Sequence, residues 1–130
     1  MTTKRPRASR PLSAHASELR RALLELHGAI VAVERRNFER KWGRVQASEF
    51  LHQLVQDEAW SWLRPLSALI VGLDAPEGAT EDALFLEARR LLKPDAAGVP
   101  FQQRYASLIQ ETPDVAFAHG VATKALKKSP

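Results

Sequence analysis

Cysteine is absent from the 130-residue sequence. This excludes disulfides, zinc–thiolate sites, iron–sulfur clusters and thiol catalysis. Long apolar runs are missing too: the longest, Leu66 to Leu73, has eight residues and includes Ser67 and Gly72, whereas a membrane span needs about 20. The first residues contain no continuous apolar stretch of the length that a secretory signal requires. We therefore expect a cytoplasmic protein with no membrane partner.

Sequence motifs for common enzyme chemistry are also missing. There is no Gly-x-Ser-x-Gly elbow, no Walker loop and no dinucleotide-binding glycine fingerprint. The residues therefore suggest no reaction and no cofactor, which favours a protein that is not an enzyme.

What the chain does have is the composition of one globular domain, with 45% hydrophobic and 26% charged residues. Its net charge of +4 comes from the two ends, which contain no acidic residue. We predict a basic flexible arm over residues 1–11, a helical domain over 12–126 and a short basic tail over 127–130. Within the body, residues 12–44 carry an excess of basic groups and 45–123 an excess of acidic groups, which favours docking of the two parts.

Helical periodicity is strongest near the start of the chain. Apolar residues alternate steps of four and three at Leu12, Ala16, Leu19, Leu23, Leu26, Ile30 and Val33. This spacing predicts a helix over about 13–41 with a coiled-coil-like seam, capped by Ser13 or Ser17 and ended by Gly43.

A second long helix is predicted over about 47–73, with Ser48 as its N-cap. The predicted inward face is Leu51, Val55, Ala59, Trp62, Leu66, Leu69 and Leu73. Pro65 should kink or break this helix, because it removes a backbone hydrogen bond. Three shorter helices follow, with starts at Thr80-Glu81-Asp82, Pro100 and Thr112-Pro113. The fold class is therefore all-α, an antiparallel bundle in which a long helical hairpin is completed by three shorter helices.

Metal binding has little support, although helical bundles often hold metals through inward Glu and His. The single Glu-x-x-His pair is Glu49 and His52, and a di-iron site of the usual kind needs two such pairs. His27 and His119 are further candidate polar groups for a ligand held between helices.

Aromatic and basic residues are interleaved between Arg35 and Arg44, as on surfaces that bind nucleic acid. Glu34 and Glu39 dilute this charge. The favoured interpretation is structural: Phe38 and Trp42 pack inward, while the charges form pairs one turn apart, such as Glu39 with Arg35 or Arg36.

Trp60 is predicted to lie off the main apolar face of the second helix. Asp57, Arg64 and Ser67 share its side of the helix, and Arg64 could lie over the indole ring while reaching a carboxylate. Such an aromatic residue either packs against a third helix or anchors a partner.

Several segments resemble a family of short bacterial hypothetical proteins with no established activity. They are Glu34-Arg35, Phe38-Glu39-Arg40, Gly43-Arg44-Val45, Asp57, Trp60 to Ser67, Leu69 to Val71, Phe101, Arg104-Tyr105, Pro113 and His119. The resemblance covers roughly residues 19–122. It implies a bacterial, cytoplasmic helical bundle and assigns no functional residue.

The leading functional interpretation is a non-enzymatic interaction or regulatory module, which could form a homodimer or bind a protein partner. The candidate surface residues are Arg35, Glu39, Asp57, Trp60, Arg64, Arg104, Tyr105 and His119. Two alternatives stay open: a bundle that binds a small ligand or metal between its helices, and a nucleic-acid-binding protein that uses the basic ends and the segment from Arg35 to Arg44.

Overall fold

The fold is that of a computed structural model describing residues 13–74 and 81–127. Six α-helices make up these residues: α1 (Ala14–Trp42), α2 (Ala47–Gln56), α3 (Arg64–Asp74), α4 (Glu81–Leu91), α5 (Pro100–Glu111) and α6 (Pro113–Lys127). A 3₁₀ segment, Glu58–Leu63, joins α2 to α3, and no strand occurs in either described range. The predicted all-α helical bundle is confirmed.

Helix α1 begins and ends as its sequence predicts. The Ser13 hydroxyl accepts a hydrogen bond from the backbone N–H of Ala16 at 3.0 Å. Gly43 ends the helix at φ +93°, in the region that favours glycine. The predicted seam is buried from Ala16 to Val33, while Leu12 lies outside the described residues.

Helices α1 and α3 form the predicted antiparallel pair. Arg20 near the start of α1 is 3.2 Å from Asp74 at the end of α3. Further along α1, His27 Nε2 is 3.2 Å from the Ser67 hydroxyl, near the start of α3. Leu66, Leu69 and Leu73 turn their side chains into the core between them.

The prediction of one long second helix over about 47–73 is wrong, because the chain forms α2, a 3₁₀ segment and α3 there. Asp57 has extended backbone angles, φ −86° and ψ 126°, and its carboxylate accepts from the N–H of Ala59 at 2.9 Å. Because this bond starts the 3₁₀ segment, α2 cannot continue past Gln56. The predicted break before Pro65 is confirmed, since Pro65 is the second residue of α3, where its missing N–H costs nothing.

Two details of α2 also differ from the prediction. Gln46, with no side-chain hydrogen bond, occupies the N-cap position assigned to Ser48. The predicted inward residues Leu51, Val55 and Ala59 are exposed, while Phe50 is buried. Because the chain breaks at Asp57, α2 and α3 are not one continuous helix, and the residues that face the core on α3 do not fix which residues are buried on α2.

The three shorter helices are confirmed. Helix α5 begins at Pro100 and α6 at Pro113, with Thr112 alone between α5 and α6. Helix α6 lies along α1 and packs through small side chains, Ala118, Ala122 and Ala125, which allow close approach. The predicted arm, most of the predicted tail and the cap Thr80 lie outside the described residues. None of the described helices is both long and apolar enough to cross a membrane.

Candidate functional site

Tyr105 and His119 meet inside the bundle. Tyr105 lies on the inward stripe of α5 and has no exposed surface, and its hydroxyl is 2.5 Å from Nδ1 of His119 on α6. The two rings pack edge to face with centroids 5.3 Å apart. The single-residue connection at Thr112 brings the two helices together.

The hydrogen bond from Tyr105 determines which nitrogen of the His119 ring carries the proton. Burial raises the pKa of the Tyr105 hydroxyl and lowers the pKa of His119, so both groups are neutral at neutral pH. The tyrosine O–H has no other partner among the described residues, so it donates to Nδ1 rather than being left unsatisfied. Nε2 of His119 then carries the ring proton and is a hydrogen-bond donor.

His119 also lines an open cleft between α4 and α6, with a volume of about 330 Å³. The other lining residues are Arg89, Leu92, Lys93, Pro94, Thr123, Leu126 and Lys127. The surface is mostly apolar, and its polar lining residues are His119, Thr123 and three cationic side chains. We call this site the His119 cleft.

Hydrogen bonds position the walls of the His119 cleft. Arg89 donates to the carbonyl of Leu126 at 3.3 Å, which joins α4 to the last turn of α6. Gln102 on α5 donates to the carbonyls of Arg90 and Lys93 at 3.0 and 3.1 Å, and it accepts from the Val99 N–H. The loop that presents Lys93 and Pro94 is therefore tied to the bundle.

The electrostatics of the His119 cleft favour an anion. Arg89, Lys93 and Lys127 contribute three positive charges, and no acidic residue lines the cleft among the described residues. The C-terminal ends of α4 and α6 oppose them with about half a negative charge each. The ammonium groups of Lys93 and Lys127 alone therefore outweigh the opposing charge of the two helix ends. Thr123 already donates its hydroxyl hydrogen to the carbonyl of Gly120 at 3.0 Å.

Trp60 belongs to a row of seven rings that connects four of the helices. In order, the row is Phe38, Phe50, Trp60, Trp62, Phe101, Tyr105 and His119, with successive centroids between 5.0 and 6.5 Å apart. Trp60 is half-buried in this row, between the rings of Phe50 and Trp62. Asp57 caps the 3₁₀ segment, and Arg64 lies 3.4 Å from Glu58.

Arg104 forms a buried ion pair that the sequence did not suggest. Its guanidinium donates two hydrogen bonds to the carboxylate of Glu34, at 3.0 and 2.9 Å, and Asn37 adds a third at 3.1 Å. Glu34 is 6% exposed. The hydrogen bond to Glu34 raises the pKa of Arg104. This pair fastens α5 to α1.

Arg35 and Glu39 act together at the turn between α1 and α2. Arg35 Nε lies 3.6 Å from Glu39, as predicted for a pair one turn apart, and Arg35 donates to the carbonyl of Val45 at 2.8 Å. Glu39 also accepts from the Val45 N–H at 3.0 Å. These contacts shape the turn at Gly43.

Trp42 does not pack inward as predicted. It is 69% exposed, with the ammonium of Lys41 5.4 Å from its ring centroid. The helix ends at this residue, so no neighbouring element covers the ring, whereas Phe38 packs on Phe50. Arg36, Arg40 and Arg44, together with Glu39, line an open hollow at the same end of α1. Cations beside an exposed ring match the predicted nucleic-acid surface, which stays a prediction.

The candidate metal ligands are not brought together. Glu49 and His52 are exposed on α2, whereas His27 contacts Ser67 and His119 contacts Tyr105. Among residues 13–74 and 81–127, no three His, Asp or Glu side chains are grouped so that they could hold a metal ion. A ligand between the helices therefore has to be sought at His119.

Stability is expected to fall as the pH is lowered from about 7.5 to about 5.5. Burial lowers the pKa of His27 and His119 below the ordinary value of 6.5, so in this window the unfolded chain binds more protons than the folded one. Urea unfolding at the two pH values measures the effect. The double variant His27→Gln, His119→Gln should show a smaller dependence on pH. The exposed control His52→Gln should keep the wild-type dependence, and an equal loss in both would contradict this assignment.

Sequence reasoning found His119 and Tyr105 but missed the rest of the cleft. Arg89 and Lys93 are four residues apart on and just after α4, and His119, Thr123 and Leu126 follow helical spacing on α6. This spacing predicts a shared face on each helix, but not that the two faces meet. Comparisons of this chain with protein-family models, with curated proteins and with solved structures found no match.

Proposed function

We propose that this protein binds a small organic anion with an apolar body in the His119 cleft. The observation that carries the proposal is the set of polar side chains in its lining: the His119 ring, whose Nδ1 is bonded to Tyr105, one guanidinium and two ammonium groups. All are donors or cations, while Leu92, Pro94 and Leu126 offer an apolar wall. A carboxylate or phosphate on a short hydrocarbon chain satisfies both parts.

The size and chemistry of the cleft support binding rather than catalysis. Its volume of about 330 Å³ is at the lower end of the range for ligand sites, so the ligand must be small. The described lining residues include no carboxylate and no activated nucleophile that could work with His119. This proposal develops the alternative interpretation of the chain, a bundle that holds a small ligand between its helices, rather than the leading one of an interaction module.

Calorimetric titration with octanoate tests this function, with octanol as the uncharged control of the same chain length. Octanoate should bind at least about tenfold more tightly than octanol, because only the carboxylate meets the donors and cations. Octyl phosphate in a third titration distinguishes a phosphate site from a carboxylate site. Equal binding of octanoate and octanol, or no binding of either anion, would overturn the proposal.

Matched lysine variants locate the site. The double variant Lys93→Gln, Lys127→Gln should weaken octanoate binding by about tenfold or more, because both ammonium groups line the cleft. Lys124→Gln on the same helix removes a charge that does not line it, and should change the affinity by less than about twofold. Equal losses would show only a general charge effect.

Binding should also be coupled to a proton. A bound anion favours the charged form of His119, whose pKa is lowered in the free protein, so octanoate should bind more tightly as the pH falls from about 8 to about 6. Besides Tyr105 from α5, which contacts this ring, the charged groups that line the same cleft are Arg89 and Lys93 from the α4 side and Lys127 on α6. His119→Gln keeps a donor but cannot titrate, so it should flatten this dependence.

A further inference from the structure

Helix α2 is the least anchored helix of the described bundle. It is ten residues long, buries one side chain, Phe50, and packs mainly on the 3₁₀ segment that follows it. Its apolar arc continues past Phe50 to Leu51 and Val55, which are 51% and 71% exposed. A helix this short is marginally stable without packing on its apolar face, so a partner that buries the exposed half of that face would stabilise α2.

Charge is distributed unevenly along α2. Arg44 precedes its first turn and has no ion-pair partner among the residues that the structure describes. Exposed Asp57 and Glu58 follow its last turn. Arg64 pairs with Glu58 at 3.4 Å and donates to the carbonyl of Val55 at 3.5 Å, so one negative charge remains unpaired at this end. Glu49 is on the opposite side of the helix from Leu51 and Val55 by helical spacing. The helix that carries the exposed apolar pair thus has a basic residue before its first turn and a net acidic charge after its last turn.

We infer that α2 pairs antiparallel with α2 of a second copy of this chain around a two-fold axis. In this arrangement Leu51 of each copy meets Val55 of the other, and the basic end of each helix lies beside the acidic end of its mate. A two-fold interface uses the same patch on both copies, and a face of opposite charge at its two ends complements itself.

The small size of the patch sets the strength of the dimer. Ten helical residues span about 15 Å, so the interface is smaller than the roughly 800 Å² per partner of a stable complex. The dissociation constant should therefore lie between about 10 and about 100 µM. Sedimentation equilibrium from about 5 µM to about 500 µM covers this range, and a monomer throughout would overturn the inference.

A matched pair of substitutions locates the dimer contact. Val55→Glu should weaken dimerisation by more than about tenfold, because it places a charge in the apolar contact. Phe117→Glu on α6 replaces a side chain that is just as exposed, 74% against 71%, and should leave the dimer intact. Loss of the dimer with Phe117→Glu and not with Val55→Glu would assign the contact to α6 and overturn the inference.

Charge exchange tests the antiparallel arrangement. In a dimer of Arg44→Glu, and likewise in a dimer of Glu58→Arg, both symmetry-related end contacts join like charges. Each variant should therefore dimerise about tenfold more weakly than wild type. Mixing the two variants creates a heterodimer in which every contact joins opposite charges, and dimerisation should return. Circular dichroism confirms that each variant is folded. A mixture that stays as monomeric as its components would overturn the two-fold pairing.

Discussion

Replacing Arg104 with alanine is expected to lower the free energy of unfolding by about 3 kcal/mol, the lower end of the range for breaking a buried ion pair. The loss arises mainly at Glu34, which is 6% exposed and would keep only Asn37 as a side-chain partner. We place it at the lower end because the Arg104 side chain is 35% exposed. Urea unfolding at neutral pH measures the change.

Two further variants separate the effect of a buried charge from the loss of any ion pair. Arg64→Ala breaks the ion pair with Glu58, in which the Arg64 side chain is 51% exposed and the Glu58 side chain 83%. It should lower the free energy of unfolding by less than about 1 kcal/mol. The double variant Glu34→Leu, Arg104→Leu removes both charges and should be more stable than Arg104→Ala. If the double variant were the least stable of the three, the pair itself would be the stabilising element.

Replacing Leu23 with alanine is expected to lower the free energy of unfolding by about 3 kcal/mol, since this side chain on the α1 seam is 0% exposed and its loss leaves a cavity. Val55→Ala should cost less than about 0.5 kcal/mol in the monomer, because Val55 is 71% exposed. Both residues have the same predicted role on an apolar seam, so the contrast tests the packing. Urea unfolding at a concentration that keeps the protein monomeric provides the comparison, and similar losses would contradict the described exposure of α2.

The long seam of α1 could be predicted because one face of one helix meets the core along most of its length. The same rule fails at α2, where a continuous three-and-four spacing runs through Asp57. There the carboxylate bonds to the N–H of Ala59 and restarts the chain as a 3₁₀ segment. Asp57 followed by Glu58 is itself a helix-start signal, since Asp57 can cap the chain as predicted for Ser48 and Glu58 adds a carboxylate in the first turn. Local capping outweighed periodicity here.

The candidate site could be predicted only in part, since it depends on where separate helices meet. His119 and Tyr105 stand out as polar residues on apolar stripes, but their contact follows from the tight turn at Thr112. The partner of Arg104 is Glu34, which is 70 residues away in the sequence, and spacing along one helix cannot reveal such a pair. The eight predicted surface residues therefore lie at four places: the turn between α1 and α2, the 3₁₀ segment and its end, the ion pair of Arg104 with Glu34, and the contact of Tyr105 with His119.

That row also bears on the order in which the chain folds. Five of its six ring pairs join residues within 14 positions of each other, while Trp62 and Phe101 are separated by 39. Contacts between near neighbours close small loops and form early, whereas a distant contact has a larger loop-closure entropy. The rings from Phe38 to Trp62 and those from Phe101 to His119 can thus assemble as two local units. Their union at Trp62 and Phe101 closes a larger loop and should follow the formation of the two units.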